Sequence, residues 1–171
     1  MVSLQSNGMP ADGKGAYIGI GANLGDARAQ VMAAIEDLAL IPRTTVAEVS
    51  SLYSSRPMGP ADQPDYVNAV ACLDTLLQPH SLLRELQAIE QRFGRRRDGI
   101  RWGARSLDLD ILLYAEATVG SDRLTIPHPG ICERDFVLLP LVEIAPDVNI
   151  PGLGTAACAL ESLDASSLYV L

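Results

Sequence analysis

The chain reads as an α+β sandwich, with helices packed on both faces of a mainly antiparallel sheet. Three observations lead there. Alternating strand patterns and 3.6-periodic helix patterns interleave without the regular rhythm of a doubly wound parallel sheet. An apolar strand ending at Tyr114 is followed by a turn at Val119-Gly120-Ser121-Asp122 and an extended run over residues 123–126, a hairpin that implies antiparallel pairing. A chain of 171 residues with 48% hydrophobic content is one domain by length, with ample material for a core.

Residues 1–15 are polar and aperiodic and predict a disordered tail, leaving residues 16–171 as the single domain. Residues 16–20 read as a strand, followed by the turn Gly21-Ala22-Asn23-Leu24-Gly25 and by Asp26 as helix N-cap, with Val31, Ile35 and Leu38 at helical spacing. Such a turn can seat phosphate on a helix N-terminus. Its spacing is neither a Walker loop nor a dinucleotide fingerprint, so it reads as a tight structural turn. A second strand is expected over 45–53. Residues 54–64, with three prolines and a glycine, then read as a loop. Residues 66–73 form a third strand with Tyr66, Asn68, Val70 and Cys72 on one face. Tyr66 and Asn68 offer a stacking ring and an amide suited to a flat heterocycle, although a core tyrosine fits equally well.

Pro79 starts a helix with the stripe Leu82, Leu86, Ile89 and Phe93, and Gly94 ends it. Residues 95–104 are an arginine-rich loop holding the only tryptophan, Trp102, with glycines that let it close like a lid. In the strand that follows, Leu107, Leu109, Ile111 and Leu113 are expected on one face, and Asp108 and Asp110 on the other. Residues 132–145 read as a helix kinked by Pro140, and a last helix is expected from residue 155.

The chemistry concentrates between residues 95 and 114. Carboxylates at i and i+2 on a strand project side by side with Cα atoms roughly 6.5–7 Å apart. Buried, they are costly unless a cation lies between them. Mg²⁺ suits, because it takes hard oxygen ligands and shares carboxylates with substrate phosphates. Arg95, Arg96, Arg97, Arg101 and Arg105 approach the same strand, and guanidinium forks beside metal-binding carboxylates suit phosphoryl transfer. A solvated strand edge and a solvated arginine face are the plain alternatives. Clustering favours a site: seven of twelve arginines lie between Arg84 and Arg105, in a chain of net charge −8.

That charge argues against general nucleic-acid binding. No apolar run approaches membrane-spanning length and no leader-like segment precedes the first strand, so the chain reads as cytoplasmic, with no membrane partner. Cys72, Cys132 and Cys158 are odd in number and widely spaced, which suggests buried thiols rather than disulfides or zinc ligands. His128, between Pro127 and Pro129, has only His80 for company and forms no metal site.

The run over residues 101–112 resembles the signature of hydroxymethyl-dihydropterin pyrophosphokinase, an enzyme family of folate synthesis. The resemblance extends to Tyr17-Ile-Gly-Ile-Gly-Ala-Asn-Leu-Gly25, to residues 53–68, to Pro127-His128-Pro129 and to Glu133-Arg-Asp-Phe-Val-Leu-Leu-Pro-Leu141, in order over roughly residues 16–150. It implies a ferredoxin-like topology and transfer of pyrophosphate from ATP, as co-substrate, to the hydroxymethyl group of a dihydropterin, releasing AMP. It further implies two Mg²⁺ held by Asp108 and Asp110, with Arg95 and Arg105 neutralising charge on the transferred group. Nucleotide contacts fall on Gln87, Glu90, Arg97, Arg101, Trp102, Ile111, Arg123, Thr125, His128 and Arg134. The pterin falls to Ser55, Pro57, Met58, Tyr66, Asn68, Trp102 and Phe136, with Tyr66 and Phe136 stacking on its two faces. Ser55 stands where the family pattern has Thr and keeps the hydroxyl.

From the residues alone the reading stops at Mg-dependent transfer from a nucleoside triphosphate; small-molecule partners and a monomeric state are the accompanying expectations. A nucleotidyltransferase shares the Asp-x-Asp strand but lacks here the expected upstream Gly-Ser turn. A regulatory binding module would have no need of both aspartates and the arginine set. Without ligand, the loops at 54–64 and 94–104 are expected to be mobile.

Overall fold

The computed structural model describes residues 13–57, 63–94 and 107–171. Met58, Arg95, Arg97, Arg101, Trp102 and Arg105 lie outside the described residues, as do residues 1–12. The expectations placed on the lid and on the centre of the 54–64 loop therefore fall outside them too.

In chain order the elements are β1 (Lys14–Ala22), α1 (Ala27–Leu38), β2 (Thr44–Val49), β3 (Tyr53–Ser55), β4 (Tyr66–Thr75), α2 (Pro79–Arg92), β5 (Asp108–Tyr114), β6 (Val119–Gly120), β7 (Thr125–Ile126), α3 (Asp135–Ile144), β8 (Asn149–Ile150), β9 (Gly154–Thr155), α4 (Ala156–Glu161) and β10 (Tyr169–Val170). The main sheet runs β10-β3-β4-β1-β5, with β2 also on β4, and every pairing is antiparallel. Two split β-α-β units, β1-α1-β2 and β4-α2-β5, interleave around the central β1–β4 pair, which is the ferredoxin-like arrangement.

Both faces are covered. Against one, Ala16, Ile18, Ile20 and Ala22 of β1 pack with Val31, Ala34 and Leu38 of α1 and Leu82, Leu86 and Ile89 of α2. Against the other, Val70, Leu112 and Leu113 meet Val137, Leu138 and Leu141 of α3 and Ala156 of α4. Asp26 caps α1 as expected, its side chain accepting from the Ala29 N–H at 3.1 Å. Gly25 and Gly94 adopt positive φ where the chain enters α1 and leaves α2, a conformation a Cβ would strain.

Several boundaries differ from the sequence expectations. β1 begins at Lys14, and the helix expected over 132–145 is regular only from Asp135. The strand expected over 45–53 is two strands. At Ser50 the backbone N–H still donates to the Val70 carbonyl, but the Val70 N–H is taken by the Ser50 hydroxyl at 2.9 Å. That swap of side chain for backbone breaks the ladder, and Tyr53, Ser54 and Ser55, the last two expected in a loop, pair again with β4. Leu113 does not share a face with Leu109 and Ile111. The β1–β5 register shifts between Tyr17 and Ile18, inserting one extra residue in β5, so Leu112 and Leu113 both turn to the α3 side. Beyond Thr155, which N-caps the short α4, the chain adds β10, which had no expected counterpart.

Candidate active site

The site is built on the sheet face that α3 and α4 leave partly open. Gly21 in β1 pairs with Asn68 of β4 on one side and Asp108 of β5 on the other, and Tyr53 of β3 continues that row beyond Asn68. One step along, Gly19 lies between Val70 and Asp110. Cross-strand partners share a face, so the two aspartates, Asn68 and Val70 rise on the same side, with two glycines between them. Asp108 is half-buried and Asp110 exposed. Hard carboxylate oxygens side by side, with no Cβ on Gly21 beside them, suit Mg²⁺ and shared phosphate oxygens, while the Leu112 side chain packs over Gly19.

Beside Asp110 opens a cleft of about 250 Å³. Five residues expected at the site line it: Asp110, Ile111, Arg123, Thr125 and His128. The β6–β7 hairpin supplies Arg123 and Thr125. Its turn is fixed by Ser121, whose hydroxyl donates to the Leu124 carbonyl and accepts from the Leu124 N–H, both at 3.2 Å. His80, at the start of α2, meets the same hydroxyl at 3.0 Å and ties the hairpin to the helix.

His128 is fixed by two bonds: its N–H donates to the Leu112 carbonyl, and its Nδ1 accepts from the Gly130 N–H at 3.0 Å. With Nδ1 accepting, the ring proton of neutral imidazole resides on Nε2. Burial pushes the His128 pKa below its ordinary value; Asp110 opposes that and Arg134 adds to it. In its neutral form the ring thus presents an Nε2–H in the cleft that Asp110 also lines.

On the other side of Gly21, Asn68 is buried and its Nδ2 donates to the Ser55 hydroxyl at 2.7 Å. Ser55 pairs with Tyr66 in the ladder, so Ser55, Tyr66 and Asn68 form one patch. Pro57 follows at the end of the described segment. Arg134 and Phe136 stand at the start of α3, with the guanidinium carbon 6.0 Å over the Phe136 ring, and Phe136 packs partly into the second core. Gln87 is exposed on α2, and neither it nor Glu90 lines the cleft. Glu90 is only 4% exposed and its carboxylate accepts from the Leu109 N–H at 3.4 Å, clamping α2 onto β5 between the two aspartates.

Four further residues contribute without having been expected at the site. Asn23, fully buried, donates from Nδ2 to the Pro64 carbonyl and Gln63 Oε1 at 3.2 and 3.3 Å, pinning the segment that leads into Tyr66. Glu143 of α3 accepts from the Tyr53 hydroxyl at 2.5 Å and the Ser51 N–H at 2.6 Å, fastening β3 to the helix that carries Phe136. Gly19 and Gly21 repeat the i, i+2 spacing of the aspartates; that periodicity was the available signal.

Comparison with known proteins agrees with this fold. The sequence model of the 7,8-dihydro-6-hydroxymethylpterin-pyrophosphokinase family matches residues 17–146. A Pseudomonas aeruginosa protein named 2-amino-4-hydroxy-6-hydroxymethyldihydropteridine pyrophosphokinase is 47% identical over 153 residues, covering 86% of this chain and 94% of its own length. A Haemophilus influenzae protein of the same name is 50% identical over 136 residues, covering 80% and 84%. Among solved structures, a crystal structure of Plasmodium falciparum HPPK-DHPS superposes with a TM-score of 0.70 at 14% identity, over 87% of this chain and 43% of that one. At that identity the likeness is one of fold, and this chain spans under half of the larger protein.

Proposed function

The chain belongs to the 7,8-dihydro-6-hydroxymethylpterin-pyrophosphokinase family, and from that premise we propose that it transfers pyrophosphate from ATP to the hydroxymethyl group of 6-hydroxymethyl-7,8-dihydropterin, with Mg²⁺, releasing AMP. The observation that carries the proposal is the row Asn68–Gly21–Asp108, which sets a heterocycle-reading amide and a carboxylate on one open face, two strands apart. Tyr66 and Phe136 stack on the pterin, while Asn68 and Ser55, already hydrogen-bonded to each other, read its polar edge with Pro57 and Met58 alongside. Arg123, Thr125, Ile111 and His128 receive the nucleotide in the cleft, His128 as a neutral Nε2–H donor to an anionic oxygen. Arg134 and the segment with Arg97, Arg101 and Trp102 complete the phosphate and base contacts, while Glu90, buried against the Leu109 N–H, holds α2 against β5.

In the reaction the acceptor hydroxyl oxygen bonds to the β-phosphorus, the bond from that phosphorus to the α,β-bridging oxygen breaks, and AMP leaves with the electron pair. The hydroxyl proton is released to solvent. Asp108 and Asp110 would hold two Mg²⁺, which supply charge neutralisation and a lowered hydroxyl pKa. Arg95 and Arg105 stabilise the charge that builds on the transferred group. The protein acts as a monomer in the cytoplasm.

The test is to incubate the protein with Mg-ATP and 6-hydroxymethyl-7,8-dihydropterin and separate the nucleotides. AMP should rise in step with a diphosphorylated pterin and stay flat when the pterin is omitted. ADP as main product would mean an ordinary kinase, free pyrophosphate a nucleotidyltransferase; either rejects the proposal.

A further inference from the structure

Gly21 is a glycine for which neither the backbone nor the core gives a reason. It lies inside β1, and its φ is not among the positive values that call for glycine. Glycine weakens a strand interior, and its persistence there marks a bulge or a close approach by something else. The register shift in β1 falls between Tyr17 and Ile18, away from Gly21.

A Cβ built on Gly21 would meet Asn68 Oδ1 at 3.4 Å and Tyr66 Cδ1 at 3.9 Å, ordinary contacts that the fold tolerates. It would nonetheless stand in the gap between Asn68 and Asp108, whose strands lie roughly 9–10 Å apart, two strand spacings. At Gly19 a Cβ would instead meet the Leu112 side chain at 3.3 Å, so that position is already covered, while a Cβ on Gly15 of the same strand meets nothing within 4 Å.

We infer that Gly21 is a specificity-determining residue: its bare backbone floors a slot, two strands wide, in which a flat acceptor lies with its amide edge on Asn68 and its hydroxyl at Asp108. The slot selects a fused two-ring acceptor, because one ring bearing the same carbinol does not reach from Asn68 to Asp108. The inference rests on the pterin reading above and adds to it the residue that sets the acceptor's length and thickness.

Gly21→Ala, with Gly15→Ala as control, tests it. Gly21→Ala should melt at or above the wild-type temperature, since alanine lowers the entropy of the unfolded chain. Its KM for the dihydropterin should rise by roughly one to two orders of magnitude, the scale of an overpacked contact, with KM for ATP unchanged. Gly15→Ala should match wild type throughout. An unchanged pterin KM in Gly21→Ala, or equal rises in both KM values with a lower melting temperature, overturns the slot. A second measurement needs no variant: the wild-type protein should not turn over a monocyclic 2-amino-4-hydroxypyrimidine carbinol at concentrations where the pterin saturates. Comparable kcat/KM for the two also overturns it. If the wild-type protein shows no turnover of the pterin, the proposed function fails and takes the slot with it. Wild-type turnover with an indifferent Gly21→Ala removes the slot alone.

Discussion

Removing the Tyr53 hydroxyl should loosen the pterin side of the site without touching the nucleotide side. Tyr53 is buried in β3, donates to Glu143 at 2.5 Å, and is followed two residues later by Ser55, the partner of Asn68. Tyr53→Phe keeps the ring and its packing and deletes one hydrogen bond to a charged acceptor, an interaction contributing roughly 1.5–3 kcal/mol when sheltered. Glu143 is exposed and keeps the Ser51 N–H. Water can replace the phenol there, so about 1.5 kcal/mol is an upper figure. At about 2–4 °C per kcal/mol for a domain of this size, Tm should fall by no more than about 3–6 °C. Because β3 then holds Ser55 less firmly, KM for the pterin should rise while KM for ATP stays put. The same contact is visible in an alkaline titration. Burial first, and Glu143 second, push the Tyr53 pKa up to about 12, and burial chiefly does the same for Tyr17. A raised pKa means the fold favours the neutral phenol. That contribution is full below pH 10, the ordinary value, and is lost as pH rises through about 12. Burial also raises Tyr114, so Tyr53→Phe should remove one of three late-titrating phenols, and a double-mutant cycle with Glu143→Gln should show losses smaller than the sum of the singles. A Tm and a phenolate titration both indistinguishable from wild type would refute the reasoning.

Other outcomes follow from the same geometry. Asp108→Asn and Asp110→Asn should each fold normally by circular dichroism yet lose several orders of magnitude in kcat, with weaker Mg-ATP binding; near-normal turnover in either removes the metal assignment. The His128 ring, followed by NMR in the free protein, should titrate below its ordinary 6.5. Because the fold disfavours the imidazolium, that contribution to stability is full above pH 6.5 and lost as pH falls through the lowered value, and His128→Gln should flatten the dependence. Removing residues 1–12 should leave activity and Tm nearly unchanged. The cut belongs before Gly13, where a Cβ would fall 1.8 Å from the buried Asp74, so that residue is packed against the domain.

What could be read from the sequence was what local pattern encodes. The α2 stripe is a clean 3.6 repeat closed by Pro79 and Gly94, and α2 spans Pro79–Arg92. Asp108 and Asp110 stand out because carboxylates interrupt an apolar strand, and Arg123, Thr125 and His128 followed from family resemblance and share the cleft with Asp110. The bulge at Leu112–Leu113 was hidden because both faces of β5 are covered there, so apolar residues on either side erase the period of two. The break at Ser50 depends on a hydroxyl reaching Val70, and β10 pairs with Tyr53 and Ser54 across more than a hundred residues. No window of sequence contains either pair. Glu143 is an exposed helix residue whose two carboxylate oxygens turn to β3, a contact roughly ninety residues away in sequence that no local pattern marks.

The most direct measurement follows phosphorus. ATP labelled separately at the α, β and γ positions, incubated with Mg²⁺ and 6-hydroxymethyl-7,8-dihydropterin, should deliver both the β and the γ label to the pterin and leave the α label wholly in AMP. Delivery of the γ label alone, with β retained in ADP, would contradict attack at the β-phosphorus and with it the pyrophosphokinase account of this site.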